Sequence, residues 1–157
     1  MLNELNQLKE LLGSPNRFIV LAHKSPDGDA VGSAAGFYKF LLNLSCKARV
    51  VLPDLPSDTL LPFMADTDCL YFSEDPNAVK VLLEESSVLI CLDFNAPSRV
   101  GDMHALIEGF IGVKVMIDHH PEPEPFADLM ISDVTNSSTC QLIYECIEHM
   151  GLTHAVD

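Results

Sequence analysis

The chain has 157 residues, 48% of them hydrophobic, enough for one compact domain with a sizeable core, and no apolar run approaches the roughly 20 residues of a membrane span. Aspartate and glutamate outnumber lysine and arginine 23 to 9, for a formal net charge of -14. That charge excludes a broad phosphate-binding surface for duplex nucleic acid, but an anionic substrate stays admissible where metal ions invert the field locally.

The start, MLNELNQLKELLG, has no basic stretch followed by a hydrophobic block, so no secretory signal is expected. Residues 2–12 place Leu5, Leu8 and Leu12 at helical spacing, and Gly13-Ser14-Pro15-Asn16 ends that helix. Phe18 to Ala22 is a short apolar, β-branched run that reads as a buried strand. It breaks at His23-Lys24-Ser25-Pro26-Asp27-Gly28-Asp29, where proline and glycine enforce a turn. A helix follows with Ala34, Phe37, Tyr38, Leu41 and Leu42 on its apolar face, and Asp29 is well placed to cap it. Residues 47–52 form a second strand, closed by Pro53 and Pro56, and the Pro-, Asp- and Ser-rich stretch 53–76 reads as loop with one short strand near 69–72. A short helix is expected at 77–85, a continuous apolar strand at 88–92 ending in Asp93, and another short helix at 102–109. The strand 113–117 runs straight into Asp118-His119-His120-Pro121. Beyond the proline-broken PEPEPF loop, 129–131 is a further strand. The last helix opens with the capping-box pattern Ser138-Thr139-Cys140-Gln141, buries Cys140, Ile143, Tyr144, Ile147 and Met150, and stops at Gly151. Strands alternating with helices, none with period-2 amphipathicity, predict an α/β fold: three αβα layers around a mainly parallel, doubly wound, Rossmann-like sheet.

Five cysteines at 46, 69, 91, 140 and 146 are odd in number and nowhere spaced C-x-x-C. They point to buried packing thiols in a reducing cytoplasm rather than to disulfides or a zinc knuckle. Three strand ends, by contrast, carry chemistry: His23/Asp27/Asp29, Asp93, and Asp118/His119/His120. In a parallel sheet all strand carboxyl ends share one edge, so these groups can converge. Several carboxylates gathered without cations would raise each other's pKa, and divalent metal removes that penalty. Mixed Asp and His donors without Cys favour Mn²⁺ or a similar ion over structural zinc. Two such ions suit phosphoryl displacement.

The motifs H-x-x-P-D-G-D-A-x-G-S at 23–33, L-D at 92–93 and D-H-H-P at 118–121, in that order, closely resemble the DHH phosphoesterase family; R-V-G at 99–101 and N-S-S-T at 136–139 also look like it. The similarity spans essentially the whole chain and is nearest to the branch of cytosolic oligoribonucleases that also dephosphorylate 3'-phosphoadenosine 5'-phosphate (pAp). It implies two divalent cations, Mn²⁺ preferred and Mg²⁺ admissible, with His23 and Asp27 on one, Asp29 and His119 on the other, and Asp93 bridging. It further implies that His120 contacts the scissile phosphate or leaving group and that Asp118 orients the histidines. Arg99 either anchors a substrate phosphate or pairs with a loop acid. The expected substrates are short RNA oligonucleotides and nucleotide phosphates such as pAp, with no membrane partner; a homodimer is left open.

The family also has a further metal-binding Asp followed by Thr-Gly, and a second domain with a glycine-rich, His-containing substrate segment. The acids after His120 (Asp128, Asp133, Glu145, Glu148 and Asp157, with those of the PEPEPF loop) lack that context. Residues 1–157 are therefore expected to be the catalytic core of a longer protein, ending before both parts. Two alternatives stand beside this: pyrophosphate or polyphosphate hydrolysis on the same core, and a domain that binds metal and nucleotide without turnover. His104, His149 and His154 have no partner pattern and are expected to be solvated.

Overall fold

The computed structural model describes residues 1–156; Asp157 lies outside them. Six strands are β1 (Arg17–Ala22), β2 (Lys47–Leu52), β3 (Cys69–Tyr71), β4 (Val88–Leu92), β5 (Val113–Asp118) and β6 (Leu129–Ser132). They form one sheet of order β3-β2-β1-β4-β5-β6, and every pairing is parallel. This is the strand order of doubly wound nucleotide-binding folds, whose topological switch point lies between β1 and β4. The register sets Ala22 level with Leu92, and Leu92 level with Ile117. The next residues along the three strands are His23, Asp93 and Asp118, so the candidate groups start from one row at the switch point.

Five helices cover the sheet: α1 (Leu2–Leu12), α2 (Gly28–Asn43), α3 (Pro76–Glu84), α4 (His104–Glu108) and α5 (Thr139–His149). Alternate strand residues point to opposite faces. Phe18, Val20 and Ala22 pack with α1, α2 and α5. Ile19 and Leu21 pack with α3, α4 and the 3₁₀ stretch Pro97–Met103 on the other side. Both faces are thus dry, which is why the central strands lack polar alternation.

The structure shifts several expected details. The helix expected at 102–109 is 3₁₀ backbone followed by the short α4, because Gly101 adopts φ 59°, ψ -130° and interrupts regular winding. Asp27, not Asp29, caps α2: its carboxylate accepts from the N–H groups of Asp29 and Ala30. Leu42 is exposed and Phe40 buried, since α2 packs against the sheet and against α5 and so buries more than one stripe. In α5 the buried residues are Thr139, Leu142, Ile143, Cys146 and Ile147; Cys140 and Tyr144 are exposed, although the Cys140 thiol touches α2, 3.3 Å from Ser33 Oγ. The capping pattern is realised in part. Ser138 Oγ accepts from Gln141 N, whereas the Gln141 side chain bonds Ser137 and Glu145. All five thiols are free, with Cys91 and Cys146 buried, Cys46 and Cys69 half-buried and Cys140 exposed. His104, His149 and His154 are exposed, as expected.

Candidate metal centre

The row at the switch point starts with His23, delivered by the end of β1 and buried. Its Nδ1 lies 2.7 Å from the Lys24 carbonyl oxygen. A carbonyl only accepts, so Nδ1 carries the proton and Nε2 is left as the donor atom for a cation. That Nε2 is 3.8 Å from Asp27 Oδ1 and 3.6 Å from Asp93 Oδ2. His119 repeats the design: Nδ1 is 3.2 Å from the Asn136 carbonyl oxygen, and Nε2 is 3.6 Å from Asp29 Oδ2 and 3.8 Å from Asp93 Oδ1. Asp93, 1% exposed, thus offers one oxygen toward each imidazole. Its φ of 65° is left-handed for a non-glycine residue, a conformation the surroundings must hold in place.

These imidazole-to-carboxylate separations are too long for hydrogen bonds. Donors about 2.1 Å from a shared ion sit roughly 3 to 3.5 Å apart, so the donors stand near the spacing that ligation requires. His23, Asp27 and Asp93 form one such group, with donor atoms within 4.8 Å of one another; Asp93, His119 and His120 form another. In the second group His120 Nδ1 is already engaged, 2.7 Å from Asp118 Oδ1. Asp29 is therefore the better third donor beside Asp93 and His119. The donors are of the kind that holds divalent cations, with His23 and Asp27 on one side of Asp93 and His119 and Asp29 on the other.

Asp118 is fully buried. Its carboxylate takes both the His120 ring N–H and the His120 backbone N–H, and His120 Nε2 has no hydrogen-bond partner among the described residues. Asp118 orients His120 alone, because His119 is held by the Asn136 carbonyl instead. Electrostatics follow this layout. The Asp93 carboxylate beside His23 raises its pKa, and burial opposes that only in part. Burial alone would raise the Asp29 carboxyl too. The N–H and thiol of Cys140 and the Thr139 N–H outweigh it, and the net shift is downward.

Thr139 and Asn136 were legible as part of N-S-S-T, but Ser137 to Thr139 suggest helix capping first. Only Ser138 caps. Thr139 Oγ1 instead donates to Asp93 Oδ1 at 2.8 Å, and Thr139 N donates to Asp29 Oδ2 at 2.8 Å. Arg99 is exposed, and its carbonyl accepts from Lys24 N at 2.8 Å. Among the described residues the ion pairs of lysine and arginine are Lys39 with Asp66 and Arg49 with Asp68; neither Lys24 nor Arg99 enters one. Asp128 and Asp133 bond nearby backbone N–H groups at Lys114 and Thr135, and Glu145 accepts from Gln141.

The chain is 31% identical over 133 residues to the bifunctional oligoribonuclease and PAP phosphatase NrnA of Thermus thermophilus, covering 85% of this chain and 37% of that protein. It is 27% identical over 150 residues to the cyclic-di-AMP phosphodiesterase GdpP of Geobacillus thermodenitrificans, covering 90% of this chain and 22% of that protein. The chain thus spans well under half the length of these curated relatives. The crystal structure of an exopolyphosphatase-related protein from Bacteroides fragilis superposes with a TM-score of 0.95 at 31% identity, over 100% of this chain and 46% of that one. Exonuclease RecJ bound to manganese shares the fold, with a TM-score of 0.56 at 16% identity. Residues 17–156 match the DHH family, N-terminal domain. The chain belongs to the DHH family and carries that domain.

Proposed function

We propose that this chain is the catalytic core of a metal-dependent phosphoesterase acting on short oligoribonucleotides and on pAp-like nucleotides. The observation that carries the reading is Asp93, whose two oxygens lie 3.6 and 3.8 Å from the Nε2 atoms of His23 and His119. When bound, a pair of divalent cations, Mn²⁺ preferred, supplies an activated water and neutralises charge on the phosphate oxygens. The protein's own contribution is to gather the donors on the inward side and to aim His120. With Nδ1–H on Asp118, a His120 ring that also carries a proton on Nε2 presents that second proton to a leaving oxygen and passes it on as the bond to phosphorus breaks. Lys24 and Arg99, exposed and unpaired among the described residues in a chain of net charge -14, are available to a substrate phosphate at the rim.

The substrate class rests on likeness to NrnA of T. thermophilus. Because the chain spans part of its relatives, we place the remaining metal-binding Asp and a substrate-gripping domain in a longer protein that contains this core. Five free thiols support a cytoplasmic setting. Among the described residues no helix is long and apolar enough to cross a membrane. A second reading, hydrolysis of pyrophosphate or polyphosphate, is favoured by the B. fragilis neighbour.

The test is product analysis on the longer protein with Mn²⁺, offering pAp, a 5'-phosphorylated dinucleotide, cyclic-di-AMP and pyrophosphate separately. Turnover of pAp and the dinucleotide, lost on chelation, is expected. Cleavage of pyrophosphate alone would replace the nucleotide assignment, and metal-independent turnover would sink the mechanism.

A further inference from the structure

Three of the candidate ligands are held by one short segment 40 or more residues away in sequence from Asp93 and over 100 from Asp29. Asn136 O fixes the Nδ1–H of His119 at 3.2 Å. Thr139 Oγ1 donates to Asp93 Oδ1 at 2.8 Å. The N–H groups of Thr139 and Cys140 donate to Asp29 Oδ2 and Oδ1 at 2.8 and 3.0 Å. These N–H groups open α5 and have no partner within the helix, so an anion is favoured there. Here that anion is a side chain from α2.

We infer that Asn136, Thr139 and Cys140, with Thr139 at the centre, are a positioning clamp that pre-sets Asp29, Asp93 and His119 for cation uptake. The inference rests on the metal reading above. Thr139 is 0% exposed and reaches no outer surface, so it acts through the acids. Its hydroxyl donates to Asp93, which selects the carboxylate's orientation and leaves Oδ2 toward His23. Its amide, with that of Cys140, grips both oxygens of Asp29 and leaves a further lone pair of Oδ2 for the space shared with His119. A hydroxyl at this place is therefore needed for ligand geometry, whereas the Ser138 hydroxyl, which bonds only Gln141 N, is needed for the helix alone.

The experiment compares Thr139→Val, Thr139→Ser and Ser138→Ala by Mn²⁺ titration calorimetry and by metal-free melting. Thr139→Val should weaken Mn²⁺ binding roughly tenfold to a hundredfold, the range for groups that orient metal ligands. Thr139→Ser should stay near wild type, and Ser138→Ala should lower the melting temperature with Mn²⁺ affinity unchanged. Wild-type affinity in Thr139→Val, or an equal loss in Ser138→Ala, overturns the clamp while leaving the metal site standing. A wild-type chain that takes up no Mn²⁺ at millimolar concentration overturns both readings together. Should Thr139→Val not fold, Mg²⁺ titration of the wild type decides by NMR. The Thr139 and Cys140 amides must shift with metal while that of Gln141 stays, and static Thr139 and Cys140 amides overturn the proposal.

Discussion

Asp93 shows how much a single position asks of its residue type. It needs a short carboxylate, a left-handed backbone with φ 65°, and burial between two imidazoles. Asparagine tolerates the same backbone region, so Asp93→Asn should fold, as circular dichroism would show, yet lose the rise in melting temperature that Mn²⁺ brings to the wild type. The same carboxylate holds the His23 pKa above 6.5. A raised imidazole pKa stabilises the metal-free fold fully below the unfolded value of 6.5, and the contribution is lost as pH rises through the folded value. Urea midpoints of the metal-free chain should therefore fall over that window, and the fall should vanish in Asp93→Asn. Mn²⁺ affinity should climb through the same window, since ion and proton compete for Nε2. Asp118→Asn should cut turnover about tenfold to a hundredfold with Mn²⁺ affinity little changed, because His120 loses its charged anchor; an equal loss of Mn²⁺ binding would contradict the assigned role. The acids and imidazoles were legible because strand ends announce themselves in sequence. Thr139 was legible only as part of N-S-S-T; its bond to Asp93 was not, since a hydroxyl at the start of a helix has a simpler explanation in capping.

At the level of elements, periodicity located every α-helix and strand among the described residues but misjudged faces wherever a helix has two neighbours. Leu42 and Tyr144 were placed inside and lie outside, because α2 and α5 pack on each other as well as on the sheet, and a single-stripe pattern cannot encode a second contact. The short helix expected near 102–109 is α4, while the 3₁₀ stretch before it, broken at the positive φ of Gly101, was not legible because no residue pattern announces that φ. Two glycines test the packing. A Cβ on Gly36, in the exposed middle of α2, meets nothing within 4 Å, so Gly36→Ala should stabilise by about 0.5 to 1 kcal/mol in chemical denaturation. A Cβ on Gly112 would stand 2.2 Å from the Ser87 carbonyl oxygen. Gly112→Ala must push backbone apart where β4 and β5 begin and should cost about 2 kcal/mol or more.

Across the whole molecule, the parallel sheet was expected from alternating strands and helices, while the order β3-β2-β1-β4-β5-β6 was not specified by any one strand. Buried apolar strands are interchangeable by pattern, and only the crossovers decide who lies beside whom. Assembly at this scale predicts a linkage effect. If the two donor groups take up cations only when the sheet is formed, Mn²⁺ at a hundred times its Kd should stabilise the fold by about 2.7 kcal/mol for each site filled, reversed by chelator. A melting temperature indifferent to millimolar Mn²⁺ would remove the basis for the site.

The level register of Ala22, Leu92 and Ile117 has a further consequence. Neighbouring strands stand about 4.8 Å apart because of backbone hydrogen bonding, so the gauge between His23, Asp93 and Asp118 is set by peptide geometry rather than by any side chain. Mutation around the rim can reshape what docks there, but it cannot widen or narrow the track on which the charges stand. A platform of this kind lends itself to many phosphate esters while its chemistry keeps one width.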